Sequence, residues 1–167
     1  MHISEFFEPI DLEVLQFNFE TSGYPRMGNL IRSFTDAGDF PDYQSVDIAI
    51  IGVREDRNAV NNSGCALAPD YIRKYFYNLF PGVYEVKIAD LGNIRQGYTI
   101  QDTFFAVSSV ITELVQNNIV PVLIGGSQDL TFANYQAYRN LGQVINIVAV
   151  DSMLDIGRSE EEVNSQS

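Results

Sequence analysis

Apolar positions in this chain fall into two kinds of pattern, short continuous runs and longer stripes at helical spacing. Val46–Val53 carries Ile48, Ala49, Ile50 and Ile51 in one run closed by Gly52, which predicts a strand buried on both faces. Pro69 stands at a first helical position, and Ile72, Tyr75, Phe76 and Leu79 then recur at helical spacing until Pro81-Gly82 stops them. Val86, Ile88 and Leu91 alternate through Tyr84–Leu91, predicting a second strand. Thr99 and Asp102 have the spacing of a capping box, with Asp in place of the usual Glu. Phe104, Val107, Ile111, Leu114 and Val115 follow as one stripe, so a helix is expected over 100–116. Val120, Val122, Leu123 and Ile124 make a third strand, closed by Gly125-Gly126. A further helical stripe of Leu130, Ala133, Ala137 and Leu141 ends at Gly142, and Val144–Val150 reads as a fourth strand.

Strands alternating with helices imply parallel pairing through right-handed crossovers, hence an α/β fold with three αβα layers. Direct pairing of the third strand with the fourth would give the order 2-1-3-4 and hide one strand edge. Residues 1–45 have a different texture: Phe6, Phe7, Phe17, Phe19, Tyr24, Phe34, Phe40 and Tyr43 follow no sustained period, and Gly23, Pro25, Gly28, Gly38 and Pro41 interrupt them. Only Asp11–Phe17 suggests a short helix. That segment is read as an irregular aromatic-rich leader, residues 46–157 as the α/β domain, and residues 158–167, with Glu160, Glu161 and Glu162, as a mobile acidic tail.

Composition narrows the partners. Ten Lys and Arg against 22 Asp and Glu leave a formal net charge of -12, which would repel nucleic acid and anionic membranes. No apolar stretch reaches the ~18 residues of a membrane span, and the acidic first residues do not form a signal peptide. The single cysteine, Cys65, cannot form an internal disulfide, so a reducing cytoplasm is expected. Cys65 has no candidate histidine base in its neighbourhood, because His2 is the one histidine and belongs to the leader.

Polar residues gather at the predicted carboxyl ends of the strands, where open α/β sheets bind ligands. The first strand is followed by Arg54, Glu55, Asp56 and Arg57, the third by Ser127, Gln128 and Asp129, and the fourth by Asp151 and Asp155. A dinucleotide fingerprint is absent after the first strand, where Gly52-Val53-Arg54 departs from Gly-x-Gly-x-x-Gly.

Four of these segments, in order, carry a family resemblance. Asn62–Arg73 resembles the Pro-Gly-Ala…Gly-Pro…Ile-Arg segment of the ureohydrolase superfamily of arginase, agmatinase and formimidoylglutamase. Ala89-Asp90-Leu91-Gly92-Asn93 resembles its Asp-Leu-Gly-Asp, Leu123–Gln128 its Leu-Gly-Gly-Asp-His, and Val150–Asp155 its Asp-Ala-His-x-Asp. The resemblance implies an arginase-like sheet of which the first four strands are present, the amino-terminal half of a longer domain. It also implies a binuclear manganese site whose bridging hydroxide attacks a guanidino or formimidoyl carbon.

On the matching positions, Asp151 and Asp155 are retained as metal ligands, while Gln128 and Met153 replace the histidines and Ser127 replaces an aspartate. The expectation is a ureohydrolase-like domain that is catalytically silent, with manganese absent or weakly held. An active hydrolase of linear amidines in a longer chain is the alternative, and a small-molecule-binding or subunit-interaction domain is another. Ser127, Asp129 and Arg54 are candidate ligand-binding residues; Arg54 and Arg57 have the alternative of pairing with Glu55 and Asp56. Apolar strand edges left open predict a homo-oligomer.

Overall fold

The computed structural model describes residues 2–11, 13, 24–142 and 144–151. Apart from Asp11 and Glu13, the expected helix at Asp11–Phe17 lies outside them, as do Met153, Asp155 and the acidic tail. In chain order the elements are β1 (Phe7–Glu8), α1 (Met27–Leu30), β2 (Arg32–Ser33), β3 (Ile48–Val53), α2 (Ala68–Phe76), β4 (Ile88–Ile94), α3 (Ile100–Gln116), β5 (Val120–Ile124) and α4 (Leu130–Asn140), with 3-10 turns at Ile3–Phe6 and Cys65–Leu67.

The three long apolar runs form the centre of the sheet. β3 pairs in parallel with β4 on one side and β5 on the other, Ile48 lying opposite both Ile88 and Val120. This is the 2-1-3 part of the expected order. A right-handed crossover fixes which face each connecting helix covers. The step from β3 to β4 runs one way along the sheet and the step from β4 to β5 runs back, so α2 and α3 lie on opposite faces. Two apolar layers result. Ala49, Ile51, Val53 and Leu91 meet Val107, Val110, Ile111 and Leu114 of α3 and Leu130, Ala133 and Ala137 of α4. Ile50 and Ile124 face the other way, onto Tyr77, Ile10 and Ile31. Each fully buried aliphatic side chain of α3 contributes roughly 1.5–3 kcal/mol, and its start is held by the expected box: Asp102 N donates to Thr99 Oγ1 (3.2 Å) and Thr99 N to Asp102 Oδ2 (2.7 Å).

Three expectations are corrected. The second strand begins at Ile88 rather than Tyr84, because β3 starts at Ile48 and leaves nothing for Tyr84 and Val86 to pair with; Asp47 Oδ2 accepts from Lys87 N at that boundary (2.8 Å). Of the apolar stripe on α2 and the turn after it, Phe76 packs against the core while Ile72, Tyr75 and Leu79 are 47%, 69% and 55% exposed; Pro69, Arg73 and Tyr77, four residues apart, are buried. The fourth strand does not form: Val144–Val150 has no ladder among the described residues, and Val144 and Val150 are 98% and 100% exposed. An apolar run becomes a strand only where an unpaired backbone edge lies within reach, and among the described residues no strand pairs with it.

The sheet instead gains two short strands from the leader. β1 runs antiparallel to the end of β4, with Phe7 opposite Ile94, and β2 runs parallel to its start, with Arg32 opposite Ala89. The leader, not a second copy of the chain, therefore covers the outer edge of β4. Gly92, at φ 89°, lets the backbone of Glu8 come close, since a Cβ there would collide with the Glu8 carbonyl. His2 accepts from Ser4 N (3.4 Å) and meets Phe40 and Tyr43 edge-on.

Buried polar groups lock α2 to β4. Arg73 donates from Nε and Nη2 to the two oxygens of Asp90 (2.8 Å each), from Nη1 to Asn93 Oδ1 (2.6 Å) and from Nη2 to Gly92 O (2.9 Å). Tyr77 OH donates to Asp90 Oδ2 (2.6 Å). Burial pulls the Arg73 pKa down, and the charge and hydrogen bonds of Asp90 outweigh it, leaving the pKa above its ordinary value. Burial and then Asp90 push the Tyr77 hydroxyl well up. No helix among the described residues is long and apolar enough to cross a membrane.

Breaking a buried pair leaves an uncompensated charge. Arg73→Met is therefore expected to lower unfolding free energy by roughly 3–5 kcal/mol and Tyr77→Phe by about 1–3 kcal/mol, both read from urea midpoints. A cost below about 1 kcal/mol for Arg73→Met would contradict the network's structural role.

Candidate functional site

The chain reverses direction along the sheet at β3, and the loops after β3 and β5 meet at the strand carboxyl ends, where open α/β sheets bind ligands. The glycine turn after β5 makes the contact. A Cβ on Gly126 would collide with the Glu55 carbonyl, so only glycine lets the two loops touch. Ser127 N donates to that carbonyl at 2.9 Å. The buried Ser127 side chain adds Oγ to Glu55 O (3.3 Å) and a short hydrogen bond to Asp129 Oδ1. Asp129 is itself buried, and its Oδ2 has no hydrogen-bond partner.

Glu55 turns inward from the end of β3 and is fully buried. Arg57 surrounds it, donating from N (3.0 Å), Nε (2.9 Å) and Nη2 (2.5 Å), and Thr103 Oγ1 donates from α3 (3.2 Å). The rest of the Arg57 guanidinium reaches the loop before α3, donating from Nη1 to the carbonyls of Gly97 (3.1 Å) and Tyr98 (3.0 Å). Burial alone would raise the Glu55 pKa; the hydrogen bonds and charge of Arg57, helped by Thr103, reverse this and hold it below the ordinary glutamate value. Arg57 thus pairs with Glu55, the alternative that the sequence left open. Asp56 accepts instead from Gly64 N (2.8 Å).

Arg54, a candidate ligand contact, is met by Asp70 at the start of α2 (2.5 Å) and by Glu8 of the leader (3.6 Å). Its Nε is buried without a partner. Cys65 lies nearby, half-buried; burial, then the charges of Asp56 and Asp129, raise its pKa and keep it a thiol rather than a nucleophilic thiolate.

Of the positions matched to metal ligands, the structure brings two together: Gln128 Nε2 donates to Asp151 Oδ2 at 3.1 Å. Met153 and Asp155 lie outside the described residues. Among the described residues no three His, Cys, Asp or Glu side chains come together as a metal site. Among the described residues the donor set differs from the one that the resemblance implies. Gln128 presents its amide N–H₂ to Asp151, Ser127 is spent on Glu55 and Asp129, and the one histidine sits in the leader among Phe40 and Tyr43. The strand ends as described offer hydrogen-bond donors, acceptors and carboxylates.

Sequence reasoning passed over Glu55 as part of a charged loop. It also saw Arg73, Asp90 and Asn93 only as motif letters. One signal was present: an aspartate within an apolar strand and an arginine among apolar helical positions, each of which needs the other if both are to be buried.

The family model described as "Arginase family" matches residues 46–167. A formimidoylglutamase of Clostridium tetani is 28% identical over 109 residues, which is 64% of this chain and 30% of that protein. The crystal structure of the formimidoylglutamase from Bacillus subtilis superposes over 93% of this chain and 51% of its own, with a TM-score of 0.70 and 18% identity. A Trypanosoma cruzi formiminoglutamase with Mn2+ superposes over 70% of this chain and 40% of its own, with a TM-score of 0.58 and 22% identity. The chain spans about half or less of the length of each.

Since a carboxyl held low in the folded state stabilises it above the unfolded pKa and loses that stabilisation on acidification, Glu55 adds to the acid sensitivity of the fold. Between about pH 5 and pH 3 the parent should lose unfolding free energy more steeply than Glu55→Gln; parallel pH profiles would sink the assignment. Gly126→Ala should cost about 1–3 kcal/mol, measured by urea unfolding.

Proposed function

The chain belongs to the arginase family, and from that premise we propose that it is a catalytically silent ureohydrolase-type domain, its strand-end site kept for binding or subunit contact rather than metal-dependent hydrolysis. The Gln128–Asp151 hydrogen bond carries this reading. The resemblance puts an imidazole ligand at the first position and a carboxylate ligand at the second; here an amide N–H₂ takes up the carboxylate oxygen that a metal would need. Hydrolysis of a linear amidine requires a cation to generate hydroxide near neutral pH, and a carboxamide neither ionises nor offers a nitrogen lone pair to replace the lost histidine. Met153 supplies a soft thioether at the other lost position.

A specific feature supports a ligand-binding role for the same region. Asp129 Oδ2 is a buried acceptor left unsatisfied, and such an atom favours a donor from outside the chain, a water or the N–H of a small polar ligand. Gln128, Ser127 and Met153 do not fit a binuclear manganese centre, and the proposed role involves no metal-dependent step.

The test is elemental analysis of the natively expressed protein after dialysis against Mn²⁺, together with hydrolysis assays on formimidoylglutamate, agmatine and arginine. Well under one metal per chain and no turnover are expected; about two metals with hydrolysis of any of these would overturn the proposal. If ligand loss is the cause, Gln128→His combined with Met153→His should raise manganese retention above that of the parent.

A further inference from the structure

Four buried side-chain atoms among the described residues lack a hydrogen-bond partner, and three of them belong to one connected group: Arg54 Nε, Asp70 Oδ1 and Asn93 Nδ2. Arg54 Nη2 donates to Asp70 Oδ2 (2.5 Å), Asp70 Oδ1 stands 3.9 Å from Arg73 Nη1, and Arg73 Nη1 donates to Asn93 Oδ1 (2.6 Å). The group is assembled from three elements on one face of the sheet. Gly52 pairs with Asn93 in the ladder, and a Cβ on Gly52 would collide with Asn93 Oδ1 and the Arg73 guanidinium. Arg54, just past β3, reaches the same face through its bond to Asp70 at the start of α2.

Each unsatisfied atom has a definite need. Arginine carries no acceptor, so Asn93 must turn its oxygen to Arg73 and its N–H₂ away. Arg54 Nε adds one N–H, and Asp70 Oδ1 adds an acceptor. Closing the usual two-bond fork between Arg54 and Asp70 would satisfy two of the atoms. It would leave Asn93 Nδ2 without a partner in a residue that is fully buried. A single water meets all three demands, accepting from Arg54 and Asn93 and donating to Asp70. The 3.9 Å between Asp70 Oδ1 and Arg73 Nη1 is too long for a direct hydrogen bond and suits a bridge. Buried waters characteristically make about three hydrogen bonds to groups of this kind.

We infer that Arg54, Asp70 and Asn93 hold one internal water at the carboxyl ends of β3 and β4. It completes a polar chain that enters from the leader at Glu8, 3.6 Å from Arg54. The chain returns to the leader at Ser33, whose Oγ lies 3.1 Å from the Tyr77 hydroxyl that donates to Asp90. Between these ends, Asp70, Arg73 and Asp90 join α2 to β4. Arg54 is thereby fixed by Glu8, Asp70 and the water, as part of the wall of the strand ends rather than a side chain free to meet a ligand.

Water-selective NOE and ROE spectra of the intact, isotope-labelled chain, alongside a crystal structure that resolves ordered solvent, test this. The Asn93 side-chain N–H₂ and the Arg54 Nε–H are each expected to give a cross-peak to a long-lived water, with one density peak within hydrogen-bond distance of all three atoms. Asp70→Leu removes the acceptor and leaves Arg54 beside Glu8 and Arg73 beside Asp90, so both cross-peaks should be lost while the buried pair persists. A fork closed directly between Arg54 Nε and Asp70 Oδ1 overturns the inference. So does a water that reaches only one of the two donors, and so do cross-peaks that persist unchanged in Asp70→Leu, which mean that other groups hold the molecule.

Discussion

Burying Asp90 in the middle of β4 obliges the rest of the structure to answer it. A carboxylate enclosed by sheet and helix is costly unless a cation and further donors reach it. Arg73 and Tyr77 do so, and both sit on the inner face of the helical segment that begins with Pro69. The rotation of α2 about its axis follows from that one requirement. Arg73 turns inward beside Pro69 and Tyr77, and Tyr71, Ile72 and Tyr75 turn outward. Arg73 also reaches Gly92 O and Asn93, and so ties down the end of β4 on which the leader strand β1 packs.

The same economy of contacts organises the strand ends. Glu55 is buried at the point where β3, the glycine turn after β5 and the start of α3 converge. Its carbonyl receives Ser127, and its carboxylate receives Arg57 and Thr103. One residue therefore joins three loops through both its backbone and its side chain. Around it, Arg57 and Ser127 are taken up by Glu55, whereas Asp129 Oδ2 stays an unsatisfied buried acceptor and Gln128 donates to Asp151. A fold alone does not fix the chemistry carried at its strand ends.

Much of this was legible in the sequence, and the reason is local. Periodicity placed β3, β5 and α3, and the Thr99–Asp102 box closed as expected, because a stripe or a cap depends on residues a few positions apart. The place of Ser127, Gln128 and Asp129 after β5 followed from strand polarity in a parallel sheet, whereas Asp151 meets Gln128 without the fourth strand that was expected to carry it. The four motif matches in order led to the family, and residues 46–167 match its model.

What the sequence determined by itself was therefore which segments are strands or helices when a partner exists, and which polar residues follow the carboxyl ends of β3 and β5. Tertiary structure alone decided which face of α2 is buried, that the aromatic leader would edge the sheet, and that Arg57 would choose Glu55 while Arg54 chose Asp70 and Glu8. It also decided that Val144–Val150, as apolar as any strand in the chain, would have no ladder. The physical reason is common to all of these. Hydrophobicity and propensity are properties of one segment, but a hydrogen-bonded edge or a buried ion pair belongs to two segments distant in the chain, and neither segment encodes the position of the other.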